Sequence, residues 1–407
     1  MYYPDEILRI SEGAEEIAEL LHQDIIDRIV KRMMIRIGRG EEYLLTAIDK
    51  WQIEVLRDAG YLLEDVQKDI TSHTAVQADE VKAAMEEAGV TAMEREDKVY
   101  KGAGLSPKPL MESPALIRIM QRNYEATMGE WKNFTRTTAN AAQQTFIKAC
   151  DRAYTLTSSG TISYTQAVKE AVEQIATEGV RVTYPSGKTD TIETATLRAV
   201  RTGISQMTGQ ITYARLEEMD WDIILTSAHV GARTGDGGEN PGNHYWWQGR
   251  FFSRTGRTPD LPLFVPSTGY GTIEGLCGVN CRHSYGAGDG EHNPYKHIDS
   301  EKNVKAEKIQ QRQRALERRI RKSKREVMGW KAAVDAATDP RVKFENDLVY
   351  QRKSALLQRQ NDAYEQFCEK NNLKRLNDRL QVARWNRQQA AEARGAAKRY
   401  TAARGAE

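Results

Sequence analysis

Apolar residues along most of this chain return at intervals of three, four and seven, a rhythm that confines those stretches to amphipathic α-helices. Within the first 160 residues it is carried by Ile10, Ile17, Leu21, Ile25, Ile29 and Met33 on one helix face, with Asp5 as the expected N-cap. A second helix is predicted over 41–59 with Leu44, Ile48, Trp51 and Leu56, closed by a left-handed Gly60. A third runs over 63–88 and stops at Gly89. Beyond the Gly- and Pro-containing stretch from Lys101 to Pro109, helices are predicted over 114–156 and 164–177.

Period two first appears in Val180-Arg181-Val182-Thr183-Tyr184, which with Pro185-Ser186-Gly187-Lys188 reads as a β-hairpin. A helix over 192–219 and a short strand over 222–225 follow. Residues 227–300 then hold five of the seven histidines, two of the four cysteines, the pair Trp246-Trp247 and many glycines, so this segment is irregular and site-like. Helical periodicity resumes past 300, with Ile309, Leu316, Ile320, Val327 and Val334. That stripe is too narrow for a core of its own and must lean on another helix or another molecule. Asp339-Pro340 divides the segment, and from Gln388 onward the Ala/Arg-rich end is expected to stay disordered until it binds something.

The fold class is therefore mainly α with a small α+β domain. Three regions are expected: a helical region over 1–160, an α+β domain over 161–298, and a basic helical tail over 299–407 that is coiled-coil or partly disordered. Charge divides the same way. Residues 301–407 carry 27 Lys+Arg against 14 Asp+Glu, a net +13, whereas residues 1–300 carry 32 against 43, a net −11. The basic part suits nucleic acid or acidic protein, and the acidic part repels nucleic acid. No run of 18 apolar residues occurs, and the first residues lack the basic and apolar regions of a signal peptide, so a cytosolic, non-membrane protein with reduced cysteines is expected.

The sharpest constellation is Gly275-Leu276-Cys277-Gly278-Val279-Asn280-Cys281-Arg282-His283. Thiolates from Cys277 and Cys281 with the His283 imidazole suit a structural zinc, with His244 or His229 as fourth ligand. Two buried cysteines beside a hydrogen-bonded histidine would read identically. A hydrolase or nuclease would use His229 or His244 as base and Arg233 or Arg282 to hold phosphate. No G-x-S-x-G, H-E-x-x-H or phosphate-cradling Gly-rich loop accompanies them, which favours packing over catalysis. In the basic tail, Arg318, Arg319, Arg321, Lys322, Lys324 and Arg325 are candidates for non-specific phosphate contact, against the plainer reading of a solvated helix face.

Several of these stretches together resemble the phage minor capsid protein 2 family, related to the Mu F-like head-morphogenesis proteins. They are Asn133-Phe134-Thr135-Arg136-Thr137, the hairpin Tyr184-Pro185-Ser186-Gly187, Ala199-Val200-Arg201-Thr202-Gly203-Ile204-Ser205-Gln206, Ser227-Ala228-His229-Val230-Gly231-Ala232-Arg233, Trp247-Gln248-Gly249, Thr268-Gly269-Tyr270-Gly271, and the Cys277 to Ser284 turn. An expansion between Arg233 and Trp247 and a Gly-rich stretch after Ser284 depart from the pattern. The resemblance implies a non-enzymatic virion structural protein at or near the portal inside the head, made in the host cytoplasm and present in multiple copies. It implies the portal protein, a major capsid or scaffold protein and packaged DNA as partners. A zinc-dependent hydrolase or nuclease, and a nucleic-acid-binding assembly factor absent from virions, are the rival expectations.

Overall fold

A computed structural model describes residues 6, 9–184 and 186–405, so the expected N-cap Asp5 and the hairpin residue Pro185 lie outside the described residues. The chain is mainly α-helical with two small antiparallel sheets. Helices α1 (Glu12–Ile37), α2 (Glu41–Leu44), α3 (Ile48–Gly102), α4 (Pro114–Ser158) and α5 (Tyr164–Glu178) lead to a hairpin of β1 (Arg181–Thr183) and β2 (Thr189–Thr191). Then come α6 (Ile192–Glu218), β3 (Ile223–Thr226), α7 (His244–Trp247), β4 (Phe251–Ser253), α8 (Phe264–Thr268) and β5 (Tyr285–Ala287). The C-terminal helices are α9 (Ser300–Ala336), α10 (Pro340–Lys370) and α11 (Arg387–Gly405).

Compact packing follows a different division from the three regions along the chain. One unit gathers the described residues of Met1–Glu15, Val76–Lys132 and Thr196–Gln311; the other gathers those of Glu16–Ala75, Asn133–Ala195 and Arg312–Glu407.

The largest correction is α3. Helices over 41–59, closed by Gly60, and over 63–88, stopped at Gly89, are expected, but after the short α2 one helix of 55 residues runs through both glycines. Neither glycine is left-handed. Glycine inside a helix costs only about 1 kcal/mol, a penalty that packing along the rest of α3 outweighs. Gly89 sits where a Cβ would meet Met120, Leu110 and Ile211 at 3.4–3.6 Å, so it serves close packing and not termination. The apolar face is also rotated from the one expected. Trp51, Val55, Ala59 and Leu62 are buried, whereas Ile48 and Leu56 are exposed. At Gly60 an added Cβ meets nothing within 4 Å. Gly60→Ala should therefore stabilise the protein by about 0.5–1 kcal/mol, read as a higher urea midpoint; an unchanged or lower midpoint would contradict a helical Gly60.

In the second unit, α1 buries Leu21, Ile25, Ile29 and Met33 completely. Its register against α3 is set by arginines four residues apart. Arg28 Nη2 donates to Asp69 Oδ1 at 2.7 Å, Arg32 Nη2 to Asp65 Oδ2 at 3.1 Å, and Arg36 Nε to Asp58 Oδ2 at 2.8 Å. Acceptor numbers fall as donor numbers rise, which is an antiparallel pairing. Trp51 stacks on Tyr154 with centroids 5.0 Å apart.

The narrow stripe of the basic tail finds its cover within the chain. Ile320, Val327, Trp330 and Val334 are buried, Trp330 Nε1 donates to Glu173 at 3.2 Å, and Gly329 lies against Ala176. Of the two expected covers, another helix or another molecule, the chain supplies the first: the stripe leans on α5 and the first helix. The expected break at Asp339-Pro340 is present. Asp339 caps α10 by accepting from the backbone N–H of Arg341 and Val342, with Pro340 at the first turn where its missing N–H costs nothing. The expected disorder from Gln388 onward is replaced by α11, which packs on α10 through buried Ala393, Ala396 and Ala397. Small side chains let the two helices approach closely, and that proximity compensates for the scarcity of large apolar residues.

In the first unit, β3 is the central strand between β4 and β5, with Ile224 opposite Phe252 on one side and Ala287 on the other. Tyr100, Leu216, Ile224, Trp247, Phe252, Phe264, Leu276 and Tyr285 form its core.

Candidate functional site

The site is assembled around the end of β3. Ser227 N–H donates to Ser284 O at 2.8 Å, and Ser227 Oγ accepts from Ser284 N–H at 2.9 Å. This reciprocal clasp ties the segment 227–233 to the Cys/His turn. From α9, fully buried Asn303 adds a second tie. Its Oδ1 accepts from Gly231 N–H and Ala232 N–H at 2.8 and 3.0 Å, and its Nδ2 donates to Ala232 O at 2.8 Å. A third comes from α3, where buried Glu96 accepts from Ala287 N–H at 2.7 Å on β5.

The turn itself is tightly coiled. Cys277 and Asn280 are left-handed, with φ of 61° and 58°. A Cβ on Gly278 would lie 2.3 Å from Ile273 O and 2.6 Å from Thr272 O, so only glycine fits where the backbone folds back on itself.

The fold separates the four residues singled out as zinc ligands. Cys281 Sγ lies 3.7 Å from His244 Nδ1 and 3.9 Å from His283 Nδ1, and the three atoms are within 4.8 Å of one another. Cys277 is not in that group. Its side chain is buried in the aromatic core and faces α6, where a Cβ on Gly209 would stand 3.1 Å from Sγ. His229 stacks on His283 with centroids 4.4 Å apart, and Trp247 meets His283 edge-on at 4.8 Å.

Burial governs the protonation states. It lowers His244 to about 4 against the opposing pull of the Glu274 carbonyl, and holds His283 well below the usual imidazole range. Both rings are therefore neutral at neutral pH. Burial likewise raises the Cys277 and Cys281 thiols. His244 Nε2 is 2.8 Å from Glu274 O and 2.7 Å from Arg233 Nη2. His283 Nε2 is 3.2 Å from Gln248 Oε1. That same Oε1 accepts the His229 backbone N–H at 3.0 Å, which fixes it as an oxygen and makes His283 Nε2 the donor.

The basic residues of α9 divide into two sets. Arg318, Arg319 and Lys322 are exposed. The others serve the second unit's own packing. Arg321 Nη1 donates to Arg379 O at 2.6 Å, and Arg325 pairs with Glu193 at 3.0 Å. Lys324 donates to Leu380 O, lies over the Trp385 ring at 5.6 Å, and is pushed down to about 8 by burial.

Gln248, Asn303 and Glu96 hold the site yet carry no chemical signal in the sequence. Glu96 stands in the charged run Glu94-Arg95-Glu96-Asp97, and Asn303 in a polar helix start, where nothing distinguishes a buried acceptor from a solvated one.

Long helices, two small sheets and a Cys/His turn tied down by hydrogen bonds to backbone carbonyls and amides define a mainly α-helical protein. The chain belongs to the phage minor capsid protein 2 family: the model of that family, described as Phage minor capsid protein 2, matches residues 3–366. Comparison with curated proteins and with solved structures found no match. Among the described residues, no helix is long and apolar enough to cross a membrane.

Proposed function

We propose that this phage minor capsid protein acts as a Mu F-like head-morphogenesis component at or near the portal inside the head, in multiple copies, with no catalytic role. The family match over residues 3–366 carries this reading. Burial of His244 and His283, at 2% and 1% exposure, supports the structural role, because neither ring is open to a substrate. The helical region would dock on portal or neighbouring capsid or scaffold subunits. Ile53 and Leu56, three residues apart on α3, are 66% and 61% exposed and offer an apolar face for that contact.

Packaged DNA would meet the basic tail through Arg318, Arg319 and Lys322. These contacts neutralise phosphates and read no sequence. Replacing all three with alanine should weaken binding to duplex DNA and lower the slope of log affinity against log salt by about 2–3. An unaltered slope would remove these residues from the interface.

Mass spectrometry of purified particles, before and after DNA release and with the portal protein as stoichiometric reference, tests the whole reading. Presence at low copy is expected, with loss on release if the chain leaves with DNA. Absence from mature particles would overturn it.

A further inference from the structure

We propose that Cys281 Sγ, His244 Nδ1 and His283 Nδ1 bind a single transition-metal ion of the zinc class, with Cys277 excluded from its coordination. The inference concerns the chain's own chemistry and stands apart from where in the particle it sits.

Three observations converge on it. Zinc bonds of about 2.0–2.1 Å to imidazole and 2.3 Å to thiolate, at tetrahedral angles, place nitrogen and sulfur about 3.6 Å apart. The observed sulfur–nitrogen separations are 3.7 and 3.9 Å, within a few tenths of an ångström of that spacing, and all three atoms lie within 4.8 Å of one another. A single S–H can donate to only one of the two ring nitrogens aimed at it.

The second observation is the outer contact of each ring. His283 Nε2 must donate to Gln248 Oε1, which leaves Nδ1 with its lone pair toward Cys281. His244 Nε2 lies 2.8 Å from Glu274 O, an acceptor, and 2.7 Å from Arg233 Nη2, a donor, so these contacts leave its proton unassigned, and the outer contact that fixes a tautomer is that of His283. An imidazole whose far nitrogen donates to a carbonyl is the arrangement that orients a metal ligand.

Third, the donor set is selective. One thiolate with two neutral imidazoles matches zinc or a similarly soft ion and is unlike the all-oxygen sites of calcium or magnesium. On binding, the Cys281 thiol gives up its proton to solvent, the metal–sulfur bond forms, and the imidazoles bind without proton loss. Arg233 and Arg282 lie on the side that favours the thiolate. Three protein ligands leave a fourth position for water or another small ligand.

The full chain, stripped of metal with a chelator, would be titrated with Co²⁺ and then Zn²⁺. One Co²⁺ per chain is expected, with the visible bands of a tetrahedral ion and a sulfur-to-cobalt absorption of one thiolate, all bleached by one equivalent of Zn²⁺. Cys281→Ser should abolish the sulfur band, whereas Cys277→Ser should retain it. Gln248→Leu should weaken affinity about 10–100-fold through loss of the His283 contact.

Failure of the folded wild-type chain to take up one saturable Co²⁺ overturns the proposal. So does a sulfur band that survives Cys281→Ser, or one lost in Cys277→Ser with helical circular dichroism intact. Should Cys281→Ser not fold, alkylation of Cys281 in the wild-type chain decides the matter. Zn²⁺ should slow its modification, and an unchanged rate refutes coordination.

Discussion

Glu193→Gln should destabilise the unit that contains α1, α5 and α10 by about 3–5 kcal/mol, the range for removing one partner of a buried ion pair. Glu193 is 4% exposed at the start of α6. One carboxylate oxygen lies 2.7 Å from His22 Nδ1 and the other 3.0 Å from an Arg325 nitrogen. Glutamine keeps the shape but removes the charge, leaving half-buried Arg325 only the more distant Glu19 carboxylate at 3.8 Å. Burial alone would raise this carboxyl; His22 and Arg325 outweigh it and hold the group well below the ordinary carboxylate range. The sign of the pH effect follows. Since the folded form holds the proton less tightly than the unfolded one, stability rises with pH across the interval between the two values. The contribution is complete above the ordinary value of 4.5 and is lost as acidification proceeds below it. Urea denaturation of both forms at neutral pH and at pH 4 and below checks this. The gap between them should narrow in acid, and a gap independent of pH would show that the charge is not its source.

Asn303→Ala should cost about 3–4 kcal/mol, because it strands two buried N–H donors and one carbonyl at roughly 1–3 kcal/mol each before relaxation. The three bonds join α9 to Gly231 and Ala232, the segment after β3 that borders the histidine cluster. Asn303→Asp retains both accepted bonds but loses the donated one, so it should be intermediate near neutral pH. Hydrogen exchange gives the local reading: the Gly231 and Ala232 amides should be protected in the wild-type chain and exchange much faster in Asn303→Ala. Equal protection would mean that Asn303 merely accompanies the clasp made by Ser227 and Ser284.

Much of the helical content is legible from residue spacing, because one helix face carries its own period wherever it is buried. The β1–β2 hairpin and the break at Asp339-Pro340 are equally visible, since turn residues and Asp-Pro act locally. Errors arise where a distant surface decides the outcome. Gly60 and Gly89 look like stops, yet α3 continues because packing along its length exceeds the local penalty. The α11 segment looks too polar and small to order, yet its alanines fit against α10. At the site, the Cys277 to His283 turn is conspicuous as a cluster of chemically capable residues. Which thiol joins His244 is not, because left-handed Cys277 and Asn280 send the two cysteines to different surroundings. The Arg28, Arg32 and Arg36 ladder is hidden for the same reason, since its acidic partners lie 41, 33 and 22 residues away.

The division of each compact unit into three separated stretches bears on how the chain is made. A ribosome releases residues in order, and domains ordinarily close one after another as they emerge. Here the first unit lacks its last stretch until Gln311 has appeared, and the second until α11 has appeared. Neither can close on a fragment that stops before Gln311, so synthesis interrupted there yields products without either core. A copy that stops before Gln311 therefore has neither unit's finished surface, and one that stops between Gln311 and α11 has the first unit's alone.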